Sequence, residues 1–252
     1  MIPQDGSLCK FSPDHLLRGK AKLWSEGEQA VKVWYNDATG GIALITIEEA
    51  RRQYEGADAV HDFDHVLRVL ALAERLAEVE GADLEIVRAA TLLHDMARGR
   101  DDCGGPTVAA DHAQAGAEMA RELLAGHPPD SVEAVVHAIA AHRFRSGPAP
   151  QTLEAKILHD ADKLDAIGAI GVARAFAYGG HQGQRLWAEV QPGYEKSQAA
   201  RKEHTPVHEY HFKLVRIRDR LLTESARRLA EERHAFMQTF FERLDQEVQG
   251  LA

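Results

Sequence analysis

Cysteine is scarce in this chain: Cys9 and Cys103 are the only two among 252 residues. So few thiols exclude a disulfide framework and a zinc site built from thiolates, and they fit a reducing compartment. The opening residues, MIPQDGSLCKF, also lack the apolar core of a signal peptide. We therefore expect a cytoplasmic protein.

Long apolar runs and positive charge are also in short supply. No run approaches the roughly 20 apolar residues that a membrane-spanning helix needs. Acidic residues outnumber basic ones by 39 to 30, a net charge of −9 with histidine neutral. The missing apolar runs argue against a membrane protein. The acidic net charge argues against a generic partner of duplex nucleic acid, because such a protein needs a basic face. A small anionic substrate, held by a metal or a few arginines, remains compatible with it.

Apolar residues and histidine are well represented. Hydrophobic residues make up 44% of the chain, enough for a sizeable core, and there are 14 histidines, several of them near acidic residues. The length predicts one large domain, or one domain with an appendage. We divide the chain into residues 1–55, an appendage of unknown role with a short hairpin around residues 36–41, and residues 56–252, a helical domain.

The helical domain is predicted from apolar residues that recur at three- and four-residue steps from about residue 60 onward. Nothing after that point has the pattern of a strand, so the expected fold class is all-α. Residues 152–180 predict one long apolar helix, and residues 179–204 predict a long loop. Helix boundaries are predicted from capping residues and a glycine stop: a capping box at Thr46 and Glu49, Gly81 as a stop, and caps at Asp83, Asp130, Thr205 and Thr223.

Three of these predicted helices carry histidine and aspartate on an apolar face. The segments are HDFDHVLRV with His65, LLHDMAR with His94 and Asp95, and ILHDADKLDAIG with Asp162. A buried carboxylate without a partner is costly, and a divalent cation offsets that cost. Because adjacent helical residues point about 100° apart, an ion that touches both His94 and Asp95 needs other helices to complete its shell.

These four residues form the predicted metal site, with two nitrogen and at least two oxygen ligands. Imidazole with carboxylate suits Mn, Fe, Co, Ni or Zn. We expect one or two divalent ions, Mn foremost, with Mg also possible. Asp165 follows Asp162 by three residues and shares its helix face, so it is expected to orient a ligand.

The pattern H…HD…D resembles the HD superfamily of metal-dependent phosphohydrolases. The flanking segments, HDADKLDAIGAIGVARAFAYGG above all, are similar to a branch of small bacterial HD hydrolases, over about residues 58–248. The resemblance implies an all-helical HD-domain bundle. It also implies cleavage of phosphate esters or anhydrides, most often in nucleotides, with nucleoside triphosphate split to monophosphate and pyrophosphate as one possibility.

Two alternatives to that reaction stay open at this point. One is a phosphomonoesterase or cyclic-nucleotide phosphodiesterase. The other is a nucleotide-sensing module that keeps the metal and hardly turns over. In each case the expected partner is a small phosphorylated molecule, with the oligomeric state open.

The remaining site candidates follow from the resemblance and from charge. Asp95 would ligate the metal and orient water, as a metal-activated nucleophile requires, and His61 would either support a metal ligand or donate a proton to a leaving oxygen. Lys163 and Arg98 complete the catalytic set. His112 and His142 would bind a second metal or phosphate. The candidates for substrate binding are Arg143, Arg145, Lys213 and His208.

Two departures from the family pattern stand out. Glu209 occupies the position where a histidine is expected, with His208 one residue away. Arg98 stands one turn after the HD pair, where some nucleotidase branches have an acidic residue, so a carboxylate base is missing there. Asp101 or Asp102 could substitute for it.

Overall fold

Nine helices make up the part of the chain that this computed structural model describes, namely residues 43–54, 63–97, 112–143, 147–194 and 203–251, and those residues contain no strand. The fold is therefore all-α, as predicted. The helices are α1 Ile47–Arg51, α2 Phe63–Glu80, α3 Leu84–Leu93, α4 His112–Leu123, α5 Pro129–Ala141, α6 Leu153–Asp165, α7 Gly168–His181, α8 Pro206–Phe212 and α9 Glu224–Val248. The hairpin predicted around residues 36–41 lies outside the described residues.

Helices α2, α3, α5 and α6 pack on one another and carry most of the core, with α4 against α5 and α9 against α6 and α7. The apolar stripe predicted for α2 is buried, including Val66, Val69, Leu70 and Leu76. The amides of Gly81 and Ala82 both donate to the Ala77 carbonyl, so α2 ends at the predicted stop, where Gly81 has φ of +77°. None of the described helices is both long and apolar enough to cross a membrane.

Most of the predicted caps are confirmed. Side chains of Thr46, Asp83, Thr205 and Thr223 accept backbone amides at the starts of α1, α3, α8 and α9. The predicted cap at Asp130 is wrong, because α5 begins one residue earlier, at Pro129, behind Pro128, which offers no side-chain hydrogen bond. Asp130 lies in the first turn instead, where its negative charge suits the helix dipole.

The HD pair does not lie inside a helix, contrary to the sequence prediction. Helix α3 ends at Leu93, His94 is its C-terminal cap, and Asp95 lies in the turn that follows. The His94 ring accounts for part of this, because its Nδ1 bonds to the Thr91 carbonyl at 2.7 Å. The Met96 amide then closes a tighter turn on the Leu93 carbonyl.

The long helix predicted over residues 152–180 is divided in two. Helix α6 ends at Asp165, and α7 begins at Gly168, whose φ of +78° is in the left-handed region that favours glycine. Helix α7 also runs to His181, three residues into the predicted loop. The break places Asp165 at the end of α6, where it meets side chains of α2 and α7.

Candidate metal centre

His65, on the buried face of α2, is anchored through its Nδ1 atom. This nitrogen lies 2.8 Å from Oδ2 of Asp165. The Asp165 carboxylate also accepts from the guanidinium groups of Arg68, at 2.9 and 3.2 Å, and Arg174, at 2.8 Å. Because an ionised carboxylate only accepts hydrogen bonds, Nδ1 of His65 carries the proton of the neutral ring and Nε2 keeps its lone pair.

His94 and His142 are anchored in the same way, each by a backbone carbonyl three residues earlier. Nδ1 of His94 is 2.7 Å from the Thr91 oxygen, and Nδ1 of His142 is 2.6 Å from the Ile139 oxygen. A carbonyl oxygen accepts, so both rings hold their proton on Nδ1 when neutral. All three histidines therefore direct a lone pair on Nε2 away from their anchors.

These lone pairs converge with carboxylates in two adjacent groups. Ligand atoms of His65, His94 and Asp162 lie within 4.8 Å of one another, and so do those of Asp95, His112 and His142. In the first group, Nε2 of His65 is 3.5 Å from Oδ1 of Asp162. Each group thus offers two imidazoles and one carboxylate, contributed by helices and helix ends far apart in sequence.

Asp95 lies between the two groups and faces both with different oxygens. Its Oδ2 is 3.8 Å from Nε2 of His65 and 3.7 Å from Nε2 of His94. Its Oδ1 is 3.8 Å from Nε2 of His112 and 3.6 Å from Nε2 of His142. A carboxylate in this position can bridge two cations, each completed by a pair of histidines.

In the group formed by His65, His94 and Asp162, burial and neighbouring charges shift the pKa values of the side chains in opposite directions. Burial alone would lower the pKa of His65, but hydrogen bonds to Asp162 and Asp165 outweigh it and raise that pKa to about 9. Burial lowers the pKa of His94 to about 4. Burial also opposes ionisation of Asp162, yet the ammonium group of Lys163 and the ring of His65 hold its pKa well below the usual value.

The donor set fits a transition metal ion. Nε2 of His94 is fully buried and, among the described residues, has no hydrogen-bond partner, which is costly for a polar atom unless an ion or water satisfies it. Imidazole nitrogens mixed with carboxylate oxygens suit Mn, Fe, Co, Ni or Zn, whereas Mg prefers oxygen ligands alone. The anchors on Nδ1 are the outer contacts that metal-binding histidines normally make.

A cleft of about 520 Å³ opens over the second group and is rich in cationic side chains. Asp95, His112, His142 and Asp162 line it near the proposed metal position. The basic residues in its lining are Arg143, Lys163, Arg174, Lys213, Arg216 and Arg220. Lys163 is held by Oδ2 of Asp162 at 2.7 Å and by the His142 carbonyl at 3.0 Å. The volume is within the range of small-molecule sites.

The structure brings most of the sequence candidates together, with some exceptions. His61, Arg98 and Arg145, together with Asp101 and Asp102, lie outside the described residues. His208 is not in the cleft lining: its Nδ1 accepts from the Thr205 amide at 3.3 Å and so caps α8. Glu209 binds Lys213 and also His204, at 3.2 Å.

Several residues of the site were missed by sequence reasoning. Arg216 and Arg220 follow Lys213 at steps of three and four, a spacing that indicates one helical face and could have drawn attention to them. Arg174 and Phe212 also line the cleft. For Arg174 no local signal exists, because its contact with Asp165 depends on the break between α6 and α7.

Comparisons with known proteins agree with this geometry. A family model described as HD domain matches residues 62–167. The Bacillus subtilis (strain 168) protein YpgQ, described as uncharacterized, is 36% identical over 196 residues, which cover 76% of this chain and 86% of YpgQ. The crystal structure of YpgQ in complex with ADP has a TM-score of 0.63 at 31% identity, covering 82% of this chain and 100% of that one.

Two further relatives extend the comparison. The crystal structure of an HD-superfamily hydrolase from Bacillus thuringiensis has a TM-score of 0.61 at 29% identity, covering 81% of this chain and 94% of that one. Ribonuclease Y of Chloroflexus aurantiacus is 35% identical over 191 residues, which are 66% of this chain but only 34% of that enzyme. The present chain thus spans about a third of the ribonuclease.

Proposed function

The chain belongs to the HD superfamily, in the branch of small bacterial hydrolases, and from this membership we propose that it is a metal-dependent phosphohydrolase of nucleotides. Release of pyrophosphate from a nucleoside triphosphate is the leading reaction. The observation that carries the proposal is the pair of histidine–carboxylate groups joined by Asp95 beneath a cationic cleft. The complex of the similar protein YpgQ with ADP supports a nucleotide as ligand.

The proposed primary ion, for which we favour Mn²⁺, would be held by His65, His94, Asp95 and Asp162. A second ion would be held by Asp95, His112 and His142. Such ions lower the pKa of bound water and neutralise phosphate oxygens, and two of them clamp both sides of a displacement. The anchored Nδ1 atoms would leave Nε2 of each ring as the ligating nitrogen, and at His65, whose pKa is raised to about 9, a bound ion would displace the proton on Nε2.

The remaining residues of the cleft would bind and orient the substrate. Phosphoryl transfer depends chiefly on positioning and charge stabilisation. Lys163, fixed by Asp162 and the His142 carbonyl, is placed to hold a phosphate oxygen next to the ions. Arg143, Lys213, Arg216 and Arg220 would neutralise further phosphates, which favours a polyphosphate over a monophosphate. The Phe212 ring offers an apolar face of the kind that stacks on a base.

The test is product analysis with metal-free protein reloaded with Mn²⁺, Mg²⁺, Co²⁺, Ni²⁺ or Zn²⁺. The substrates are nucleoside triphosphates, nucleoside monophosphates and cyclic nucleotides. We expect metal-dependent release of pyrophosphate without orthophosphate, lost in His94→Ala and Asp95→Ala. The matched control is His181→Ala, which removes an exposed histidine at the end of α7 and should retain the activity.

The other outcomes identify the alternatives. Orthophosphate from monophosphates would identify a phosphomonoesterase, and opening of cyclic nucleotides would identify a phosphodiesterase. Nucleotide binding without turnover under every metal would identify a sensing module. The roles assigned to His61, Arg98 and Arg145 remain predictions, and alanine variants scored in the same assay examine them.

A further inference from the structure

Tyr54 brings a buried hydroxyl from outside the helical bundle into the turn that carries the HD pair. It ends the short turn after α1 and its side chain is 8% exposed. The hydroxyl donates to the Leu92 carbonyl at 3.0 Å and accepts from the Asp95 amide at 3.3 Å. These contacts join segments 38 and 41 residues apart in sequence.

The two backbone groups that Tyr54 contacts belong to the end of α3. The last carbonyls of a helix have no amide in the next turn to accept from and need other partners. Here the Thr91 carbonyl accepts from the His94 ring and the Leu93 carbonyl accepts from the Met96 amide. The Tyr54 hydroxyl serves the Leu92 carbonyl and the Asp95 amide together, which a hydroxyl can do because it both donates and accepts.

The consequence concerns the direction of the Asp95 carboxylate. Its two oxygens face different histidine pairs at 3.6 to 3.8 Å, so a small rotation of the backbone at Asp95 would move both away from their partners. The Tyr54 hydroxyl fixes the peptide that sets this direction. The residues at the start of the described chain are thereby part of the construction of the metal centre.

We infer that Tyr54 is a positioning residue for the metal centre: its hydroxyl holds the His94–Asp95 turn in the geometry that binds cations. The inference rests on the proposed metal-dependent function. Tyr54 does not line the cleft, and its hydroxyl contacts the backbone of Asp95, so it would act through Asp95. Outer contacts of this kind are worth roughly 10- to 100-fold in metal affinity.

A purely structural role for Tyr54 is the competing explanation. Its ring packs edge-on against Phe63 at a centroid distance of 5.4 Å, and the Arg51 guanidinium lies 4.4 Å over the same Phe63 ring. Through such packing alone, Tyr54 would only stabilise the start of α2. Tyr54→Phe separates the two explanations, because it keeps the ring and removes only the hydroxyl.

The experiment measures Mn²⁺ affinity of the full-length, metal-free protein by calorimetry, alongside its unfolding temperature in EDTA. For Tyr54→Phe we expect roughly 10- to 100-fold weaker Mn²⁺ binding and a lower kcat with unchanged KM. Tyr210→Phe is the matched control, since Tyr210 is equally buried but packs on Phe241 away from the site. It should bind Mn²⁺ like the unaltered protein.

Equal Mn²⁺ affinity in the unaltered protein and Tyr54→Phe would overturn the inference and leave the proposed function standing. Conversely, weakened Mn²⁺ binding in Tyr54→Phe, with no hydrolysis by the Mn²⁺-loaded unaltered protein, would support the inference and overturn the function. Hydrogen exchange of the Asp95 amide in the unaltered protein needs no variant to fold. Slow exchange is expected, and exchange as fast as that of an exposed loop amide would also overturn the inference.

Discussion

At the scale of single residues, two aspartates of α6 that are two positions apart have different duties. Asp160 is completely buried and accepts from the amides of Leu222 and Thr223 and from the Thr223 hydroxyl, at 2.7 to 3.0 Å. It thereby ties α6 to the start of α9. Asp162 instead faces His65 and the cleft. Spacing in the sequence does not distinguish the roles of these two carboxylates, whereas their contacts in the structure do.

Substitution by asparagine should therefore lower stability at Asp160 and metal affinity at Asp162. Asp160→Asn weakens several charge-assisted hydrogen bonds, each worth about 1.5–3 kcal/mol, so we expect a free energy of unfolding lower by about 2 kcal/mol and unchanged Mn²⁺ stoichiometry. Asp162→Asn removes a proposed ligand, so Mn²⁺ affinity should fall at least about tenfold. Denaturant unfolding in EDTA and metal titration measure the two effects. Loss of Mn²⁺ sites in Asp160→Asn would contradict the assignment.

The sequence predicts site residues where side-chain type and helical spacing act together. His65, His94, Asp95 and Asp162 were grouped because each occurs on an apolar segment, and the structure brings them together. Tyr54 could not be found in this way, because a hydroxyl that meets a turn 41 residues later has no local pattern. His208 has a histidine's chemistry, but its Nδ1 is used to cap α8.

At the scale of elements, the junction of α6 and α7 is where sequence and structure differ most. Apolar periodicity runs through residues 152–180 without interruption, so it predicts one helix. At the break the backbone approaches itself closely: a Cβ on Gly171 would lie 2.3 Å from the Ala166 carbonyl oxygen. Periodicity reports which face is apolar and carries no information about such a close backbone approach.

Gly171→Ala should be strongly destabilising, because a backbone oxygen cannot move aside as a flexible side chain can. We expect a loss of about 2–3 kcal/mol in the free energy of unfolding, at the upper end of the range for overpacking. Gly180→Ala is the control on the same helix, since a Cβ there meets nothing within 4 Å. Alanine at this position should raise the free energy of unfolding, by no more than about 1 kcal/mol. Denaturant titration compares them, and equal effects would refute the close-packing argument.

The cap of α8 should make stability depend on pH. Burial, with the positive potential of His204 and His211, lowers the pKa of His208 below its ordinary 6.5. Because the folded protein then resists protonation more than the unfolded chain, this contribution is present above pH 6.5 and is lost as pH falls below that value through the lowered pKa of the folded state. Protonation would also remove the acceptor for the Thr205 amide.

His208→Gln removes the titrating group and keeps an acceptor suited to a capping box. We expect the unfolding temperature of the unaltered protein to fall more steeply than that of the variant between about pH 7 and 5. Thermal unfolding of both proteins across this range, in the same buffer series with EDTA, gives the comparison. Parallel curves would show that His208 does not titrate with folding.

At the scale of the whole molecule, charge is distributed unevenly. The chain carries a net charge of −9, yet six lysine and arginine side chains line the cleft. The overall balance is compatible with an anionic substrate bound locally, but it does not indicate where the cationic side chains gather. Their positions come from four separate parts of the chain: the end of α5, α6, α7, and the turns between α8 and α9.

The same arrangement makes metal binding a whole-molecule property, because the proposed ligands come from α2, the turn after α3, α4, the end of α5, and α6. An ion that binds only the folded protein adds about 2.7 kcal/mol per site at 100 times its Kd. In a chain of this length that corresponds to roughly 5–10 °C in unfolding temperature.

We therefore expect Mn²⁺ to raise the unfolding temperature and EDTA to reverse it. Asp95→Asn, which alters the carboxylate shared by both groups, should remove most of the shift. His112→Gln should remove a smaller share and abolish any second binding step in calorimetry. A full shift in Asp95→Asn would mean that the ions bind elsewhere, since Asp95 is the carboxylate that faces both histidine pairs in the proposed site.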